Sequence, residues 1–552
     1  MRIIGNGISS LLIVIILLLP PSSVRAQMAF PGAVGPGANA SGGRSAGAVY
    51  PVKNMNDSGA DSFRDAVSGS NRIIVFRTGG RVNLERPINI TASNLTILFE
   101  TAPGDGFCVT GDVVNFRGSN YIIRGGRFRP GDAVGGLHSN PSDRDGLSMG
   151  DSDNWILDHC SVSWGIDVGG IEIWNNNFPG AEDFTVQYSF IGEPLHDNLH
   201  AKGPHSDAMN VRNADDGLVY NCLFVHSNAR SPQHDGDENS NVEFRNLVIY
   251  NWKNAAMEIE RGGVVWASNM RFIPGLDDDD QKEITIISPD PPLGIYLKSM
   301  IGPNRTNDTG DNWAVVDGSS AFQFLYEPFQ GSQLRERYVL DDMRDHILYS
   351  AGAAFPKRDR VDSTWIQDVL SNGTSGKIKD AVALGTIYWP IGDVEEVQRE
   401  QNLDRIRFTS PQGGQPDIDG VYDGDLLVLD YDGGQTWDPD DSLEIGSSDN
   451  QGTLTEVVTV PFDSTPTTNS TFKIRNTYTD ATRVVGGYPT YNAGTAPLDS
   501  DGDYVPNWIE GIIGSDSTTA DAMGDVDDDG YKNVEEWSQY LYSMYPPKLV
   551  KR

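Results

Sequence analysis

Between residues 143 and 237 this 552-residue chain gathers the side chains whose types and spacing suit chemistry. An Asp-x-Asp pair, Asp143 and Asp145, comes first. Asp167 ends the stretch WILDHCSVSWGID (155–167). Lys202 lies in HAKGPH (200–205) and Arg230 in HSNARSP (226–232). Six of the eight histidines fall between His159 and His234. Carboxylates first and cations later, on short β-like segments, is what a metal-assisted site for an anionic polymer needs. The acids suit a hard divalent cation that prefers oxygen ligands, Ca²⁺ above all. Any one of them read alone is an exposed loop carboxylate, and either cation alone is a surface charge. On a chain of formal charge −35, cations among acid-bearing loops are less easily dismissed. They would locally offset the repulsion between an anionic protein and an anionic substrate. His200 and His205 could bind substrate or serve as the base, because imidazole titrates near neutrality. A zinc site built from His159, His196, His200 and His205 fits less well, since the Asp-rich neighbourhood favours a harder ion. His159 itself is expected to point into the core.

These residues need short strands to carry them. The apolar runs are short, and 60 glycines with many Asn and Asp imply frequent turns, so β structure is favoured over long helices. YIIRGGRF (121–128), WILDHCSV (155–162), FTVQYSFI (184–191), the stretch around LVYNCLFV (218–225) and VEFRNLVI (242–249) share one order of side chains. Aligned, they stack Ile123, Leu157, Val186, Val219 and Phe244 in one column. A second column holds Gly126, Cys160, Ser189, Cys222 and Leu247. Repeats of this length with variable loops predict an all-β chain folded as a parallel β-helix, each coil one repeat, with function on the loops of one face. A β-sandwich with coincidental spacing is the competing architecture. In the stacked arrangement Cys160 and Cys222 lie two coils apart, about 9–10 Å, too far for a disulfide. With three cysteines in all, a disulfide framework is not expected.

The two ends carry other signals. Residues 1–26 read as a secretory signal: Arg2, the apolar run LLIVIILLLP (11–20), and a small-residue cleavage site at Val24-Arg25-Ala26. The run is short for a membrane span, so a secreted protein without stable membrane insertion is expected. The acidity argues against nucleic acid as a partner, which needs a basic footprint. A monomer is expected. At the other end, DVDDDGYKNVEE (525–536) fits a Ca²⁺ loop at every specified position, with Asp525, Asp527, Asp529 and Glu536 as ligands and Gly530 at the sharp turn. DSDGDYVPNWIE (499–510) is a relaxed version that keeps Asp499, Asp501, Asp503 and Glu510 at ligand spacing. Its early Gly502 is similar to the calcium repeats of dockerins and thrombospondins. The organisation expected is a signal at 1–26, a β-helix domain at 27–398, a β-rich insertion or extension packed on it at 399–495, and a small calcium-binding module at 496–552.

AFPGAVGPG (29–37), SGGRSAGAVYPVKNMNDSGADSFRDAV (41–67), IIVFRTGGRVNL (73–84), TAPGDGFCVTG (101–111), RFRPGD (127–132) and LDHCSVSW (157–164) resemble the pectate lyases of polysaccharide lyase family 1. The resemblance runs from about 29 to 270, with weaker echoes at 361–378 and 484–494. It implies a right-handed parallel β-helix, secretion, and Ca²⁺-dependent β-elimination on polygalacturonate. By it Asp143, Asp145, Asp167 and Glu172 match metal ligands, Arg230 the catalytic arginine and Lys202 a lysine that pairs with a substrate carboxylate. SFRDAV (62–67) is expected to cap one end of the helix. One position departs: Asp235 stands where the family has a second arginine, and the adjacent His234 is the candidate to substitute in substrate binding. Arginine is a difficult base, its pKa lying above ~12, so His200 or His205 is the other candidate. Three functions stay open on this reading: a pectate lyase, a lyase on another uronic-acid glycan, and a non-catalytic carbohydrate-binding or adhesive β-helix. Hydrolysis by a carboxylate pair fits less well, because cations here face an acidic cluster.

Overall fold

The computed structural model describes residues 27–45, 48–133, 136–176, 183–278, 283–323, 340–382 and 488–543, and the backbone of five strands between 394 and 461. The expected signal at 1–26 lies outside the described residues. Short strands wind into a parallel β-solenoid, each pairing with the one a coil earlier and a coil later. The expected column is in place: Ile123 pairs with Leu157, Leu157 with Val186, Val186 with Val219 and Val219 with Phe244. All five are fully buried, as alternation about a closed coil requires. Cys222 pairs with Leu247 in the second column. Cys108, Cys160 and Cys222 are free and buried.

The coils turn at residues with positive φ, and asparagine fills many of these corners because its short amide tolerates the left-handed region. Asn71, Asn94, Asn120 and Asn154 stack on successive coils with φ between 53° and 63°. The Nδ2 of Asn120 donates to Asn94 and that of Asn94 to Asn71, both at 2.8 Å, so each amide satisfies the next. His159 sits at such a turn (φ 51°). Its ring therefore leaves the coil and stacks on Tyr188, with centroids 5.0 Å apart, which corrects the expectation of a core-facing histidine.

SFRDAV forms the expected cap. Ser62 accepts from the Asp65 amide to start the helix Phe63–Ala66, and Phe63 closes the aromatic end of the core against Phe76, Phe99 and Phe107. Two flanks of the solenoid are covered. Helices Leu340–Ser350 and Arg360–Leu370 pack on Phe190, Leu223, Val225 and Val248. Helices Asn507–Ile513 and Asn533–Ser543 bring Val505, Ile509, Val534, Trp537 and Leu541 onto Ile73, Val75 and Leu98. Among the described residues the last strand of the solenoid is Val316–Asp317. The strands between Val394 and Pro461 form a separate antiparallel sheet.

A third sheet presents a polar face. Asn89, Asn115, Ser148, Glu172, Asn210, Gln233, Glu258 and Thr285 occupy one register column on successive coils. The residues that follow them in most of these strands, Met149, Ile173, Val211, His234 and Ile259, are fully buried. One step further, Gly150, Trp174, Arg212, Asp235 and Glu260 again share a column on the polar side.

Candidate active site

The polar sheet brings the acids together. Asp145 ends the loop before Leu147–Gly150, and its Oδ1 accepts from the Val168 amide at 3.2 Å. Burial, then the charge of Asp167, pushes Asp145 up to about 8. Glu172 lies on Val168–Trp174, and Asn210 Nδ2 donates to its Oε1 at 3.2 Å. Its Oε2 is buried without a hydrogen-bond partner, as is Asn210 Oδ1. Burial and the charges of Asp145 and Asp167 hold Glu172 well above the carboxylate range. A buried charge left unpaired costs several kcal/mol, so this arrangement calls for protons or a cation among Asp145, Asp167 and Glu172. Asp145 and Glu172 offer oxygen donors, which suit a hard cation such as Ca²⁺, whereas Asp167 shares its position with two histidines, the ligand atoms of Asp167, His200 and His205 all lying within 4.8 Å of one another.

Asp167 also faces the histidine loop. His205 Nε2 lies 3.0 Å and His200 Nε2 3.4 Å from Asp167 Oδ1, and the two rings stack with centroids 4.3 Å apart. Asn198 shapes this loop: its Nδ2 donates to the His205 and Ile166 carbonyls, and its Oδ1 accepts from the His200 amide. Burial, then His205, lowers the His200 pKa.

Arg230 sits at φ 55° beside the cis peptide Ser231–Pro232. Its Nη1 lies 3.0 Å from Asp207 Oδ2 and its Nε 3.5 Å from Glu258 Oε2. Burial by itself would lower the Arg230 pKa, but Asp207, Glu258 and Glu172 outweigh it and raise the pKa. Burial pushes Glu258 up to about 7 although Arg230 pulls it down. Asp207 also meets His205 Nε2 at 3.1 Å. The acids and Arg230 therefore form one continuous network across neighbouring coils.

The remaining predicted residues lie at or beyond the edge of this network. Asp143 is exposed in the turn Pro141–Asp143. Lys202 is exposed at the rim, and its charge acts on His200 and Asp207. His234 is fully buried, and its Nε2 lies 3.0 Å from the Gly262 carbonyl. Alternation along the strand turns it inward, so it does not reach a polymer on the sheet, contrary to expectation. Its neighbour Asp235 faces outward between Arg212 at 3.6 Å and Arg261, whose Nε donates to it. Arg261 also donates to Asn213 Oδ1 at 2.7 Å. Asp207, Asn210, Glu258 and Trp174 went unseen in the sequence reading. Aligning the strands of the polar sheet, as was done for another flank, is the signal that would have found Asn210 and Glu258.

At the C-terminal end, Asp499, Asp501 and Asp503 bring carboxylate oxygens within 4.8 Å of one another, as do Asp525, Asp527 and Asp529. Glu510 is fully buried with neither carboxylate oxygen hydrogen-bonded, and it groups with Asp503 and Asp521. Burial, then Asp501 and Asp503, pushes Glu510 up to about 7, and burial, then Asp527 and Asp529, does the same for Glu536.

A stack of parallel coils, with acids and Arg230 gathered on a sheet that no other described element covers, places the protein among the parallel β-solenoids. No family model matches the chain. It is 31% identical over 438 residues to a protein named probable pectate lyase C from Emericella nidulans, covering 77% of this chain and 91% of that one. A protein of the same name from Aspergillus oryzae is 28% identical over 527 residues, 94% of each chain. The chain belongs to the pectate lyase family. Among solved structures, a mutant of Bacillus subtilis pectate lyase aligns with 60% of this chain and 99% of its own, at 14% identity and a TM-score of 0.41. That likeness is too loose to carry an argument.

Proposed function

We propose that this chain is a secreted, Ca²⁺-dependent lyase that cleaves pectate by β-elimination on the polar sheet. The observation that supports the reading is the cluster of buried Asp145 and half-buried Glu172, whose Oε2 has no hydrogen-bond partner, with half-exposed Asp167 and Arg230 beside them. Asp145, Asp167 and Glu172 would hold the cation, with Asp143 at the loop rim as the fourth expected ligand. Bound there, Ca²⁺ supplies Lewis acidity that neutralises a uronate carboxylate and makes the neighbouring C5 proton removable. Arg230 is assigned the C5 proton. Lys202, free to swing at the rim, pairs with a substrate carboxylate. In the elimination the C5–H bond breaks, the C4–C5 double bond forms, and the C4–O bond breaks as the leaving oxygen gains a proton.

A second assignment of the base has its own support. Asp207 and Glu258 hold Arg230 firmly protonated, whereas burial lowers His200, which lies 3.4 Å from Asp167 in the same network. An activity limb near pH 6 would assign the base to histidine, and a limb above pH ~9 to arginine.

The acidic loops at 499–510 and 525–536 are proposed to bind Ca²⁺ as well. Support comes from the buried, unpartnered carboxylate of Glu510 and the raised pKa of Glu536. Export rests on the apolar leader at 11–20, and N-terminal sequencing of protein recovered from the culture medium tests it.

The main test is ultraviolet absorbance of polygalacturonate incubated with the purified protein, with Ca²⁺ and with a chelator. β-Elimination creates a conjugated double bond and hydrolysis does not. A calcium-dependent rise is expected. No rise from folded, calcium-loaded protein would refute pectate as the substrate. The outward carboxylate of Asp235 then makes other uronic-acid polymers the next substrates to assay.

A further inference from the structure

Trp174 follows Glu172 by two residues on the same strand, so both side chains leave the same face of the sheet, about 7 Å apart along the chain. Its indole does not stand alone. Arg117, from two coils earlier, places its guanidinium 4.8 Å from the ring centroid. Arg117 is itself pinned: it donates to the Phe116 carbonyl at 2.8 Å and to Ser148 Oγ at 3.2 Å. Trp174 Nε1 donates to the same Ser148 hydroxyl at 3.3 Å. Gly150 pairs with Trp174 across the sheet, and a Cβ added to Gly150 would fall 2.3 Å from the indole. The missing side chain at 150 is thus what lets the ring fold back over the neighbouring coil. On the other side, Arg212 pairs with Trp174 in register; its Nε lies 3.6 Å from Asp235 Oδ2 while its side chain stays half exposed, so it can also meet a second carboxylate.

Trp174 is thus a part-exposed tryptophan fixed by a hydrogen bond and a stacked arginine, with a second arginine on the next strand. It matches one chemical group: a pyranose ring whose C–H face lies on the indole while its carboxylate meets a guanidinium. We propose that Trp174, with Arg117 and Arg212, forms a uronate-stacking subsite one sugar position from the Asp145–Asp167–Glu172 cluster. The inference deepens the function proposed above and rests on it for the identity of the polymer. The indole takes the apolar ring face, and the arginines select for an acidic sugar over a neutral one.

The test compares wild type, Trp174→Ala, Trp174→Phe and Gly150→Ala. Each is run on polygalacturonate by initial rates and by retardation in native gels containing the polymer, with the melting temperature as a check on folding. Loss of the stack is expected to raise KM about tenfold in Trp174→Ala, with kcat within about twofold. Trp174→Phe should recover most of the affinity. Gly150→Ala, which keeps the indole but displaces it, should raise KM as Trp174→Ala does. A KM unchanged in Trp174→Ala, or a loss confined to kcat, overturns the subsite. Should Trp174→Ala melt far below wild type, Gly150→Ala decides by the same KM criterion. A wild type that is retarded by the polymer without making unsaturated product refutes the lyase reading alone, and gel retardation of the variants then decides the subsite. A wild type neither retarded nor active overturns both.

Discussion

Arg230 is held by carboxylates from two coils, Asp207 and Glu258, and that contact sets what its replacement should do. Arg230→Ala should lower kcat by about a thousandfold, the scale of a lost proton-transfer group. It leaves Asp207 and Glu258 next to each other without their cation, so both should take up protons more readily and the fold should survive. Unchanged circular dichroism with lost turnover supports the assignment; loss of folding together with activity refutes it. Glu172→Gln makes the opposite case. It removes a carboxyl that must take up a proton on folding without a cation and whose Oε2 has no partner, so the variant should be more stable than wild type in chelator, by about 1–3 kcal/mol. In saturating Ca²⁺ the order should reverse, because the variant has lost a ligand. Thermal melts in both conditions read this directly.

Among the elements, the coil is the unit. Leu157 sits mid-column, paired with Ile123 and Val186. Leu157→Ala should cost about 2–5 kcal/mol, since neighbouring coils on both sides prevent collapse into the cavity. That column was legible in the sequence because its strands repeat the same side-chain order. The polar sheet was less legible. Its strands are short, differ in length and alternate apolar with Glu, Asn, Gln or Ser, so no shared order announces them. The same two-residue alternation explains His234, which read as a surface residue because of its neighbours yet turns inward between Gln233 and Asp235. The corners were legible in kind, as Asn- and Asp-rich turns, but not as ladders. Asn120→Ala removes both the amide ladder and the residue suited to φ 63°. It should cost about 1–3 kcal/mol by chemical denaturation.

For the molecule as a whole, the C-terminal helices act as a clasp across the solenoid's flank. Arg44 meets Glu535 at 2.9 Å and Arg77 meets Asp499 at 3.4 Å, while Arg124 donates to Ser538 at 2.8 Å. If the adjoining loops bind Ca²⁺, binding there stabilises the clasp by mass action. Chelation should then lower the melting temperature, and Glu510→Gln should reduce that response without abolishing lyase activity in excess Ca²⁺. The same flank carries an acid-sensitive group. Burial by itself would raise Asp158, but His159 and Arg124, 2.9 Å away, outweigh it and hold Asp158 at about 2, below its ordinary 3.8. The unfolded chain thus binds this proton more readily than the folded one. The pair's contribution, roughly 2 kcal/mol, is present above pH ~4 and lost as pH falls through about 2. Asp158→Asn should flatten that part of the stability profile, measured by denaturant unfolding between pH 2 and 5.

The sequence by itself determined the coil architecture, the buried free cysteines, the capping helix and most of the acids at the site, because each depends on local alternation and composition. Asp145 and Asp167 could be picked out by type, and Glu172 and the role of Arg230 by resemblance. Which of these side chains meet depends on how the coils stack. Residues from 117 to 258 come together on one sheet through a register that depends on loop lengths no local pattern encodes. That register brought Asp207 and Glu258 to Arg230 and left Asp143 and Lys202 at the rim. It also laid Trp174 over Gly150, a contact between coils that depends on a missing side chain one strand away.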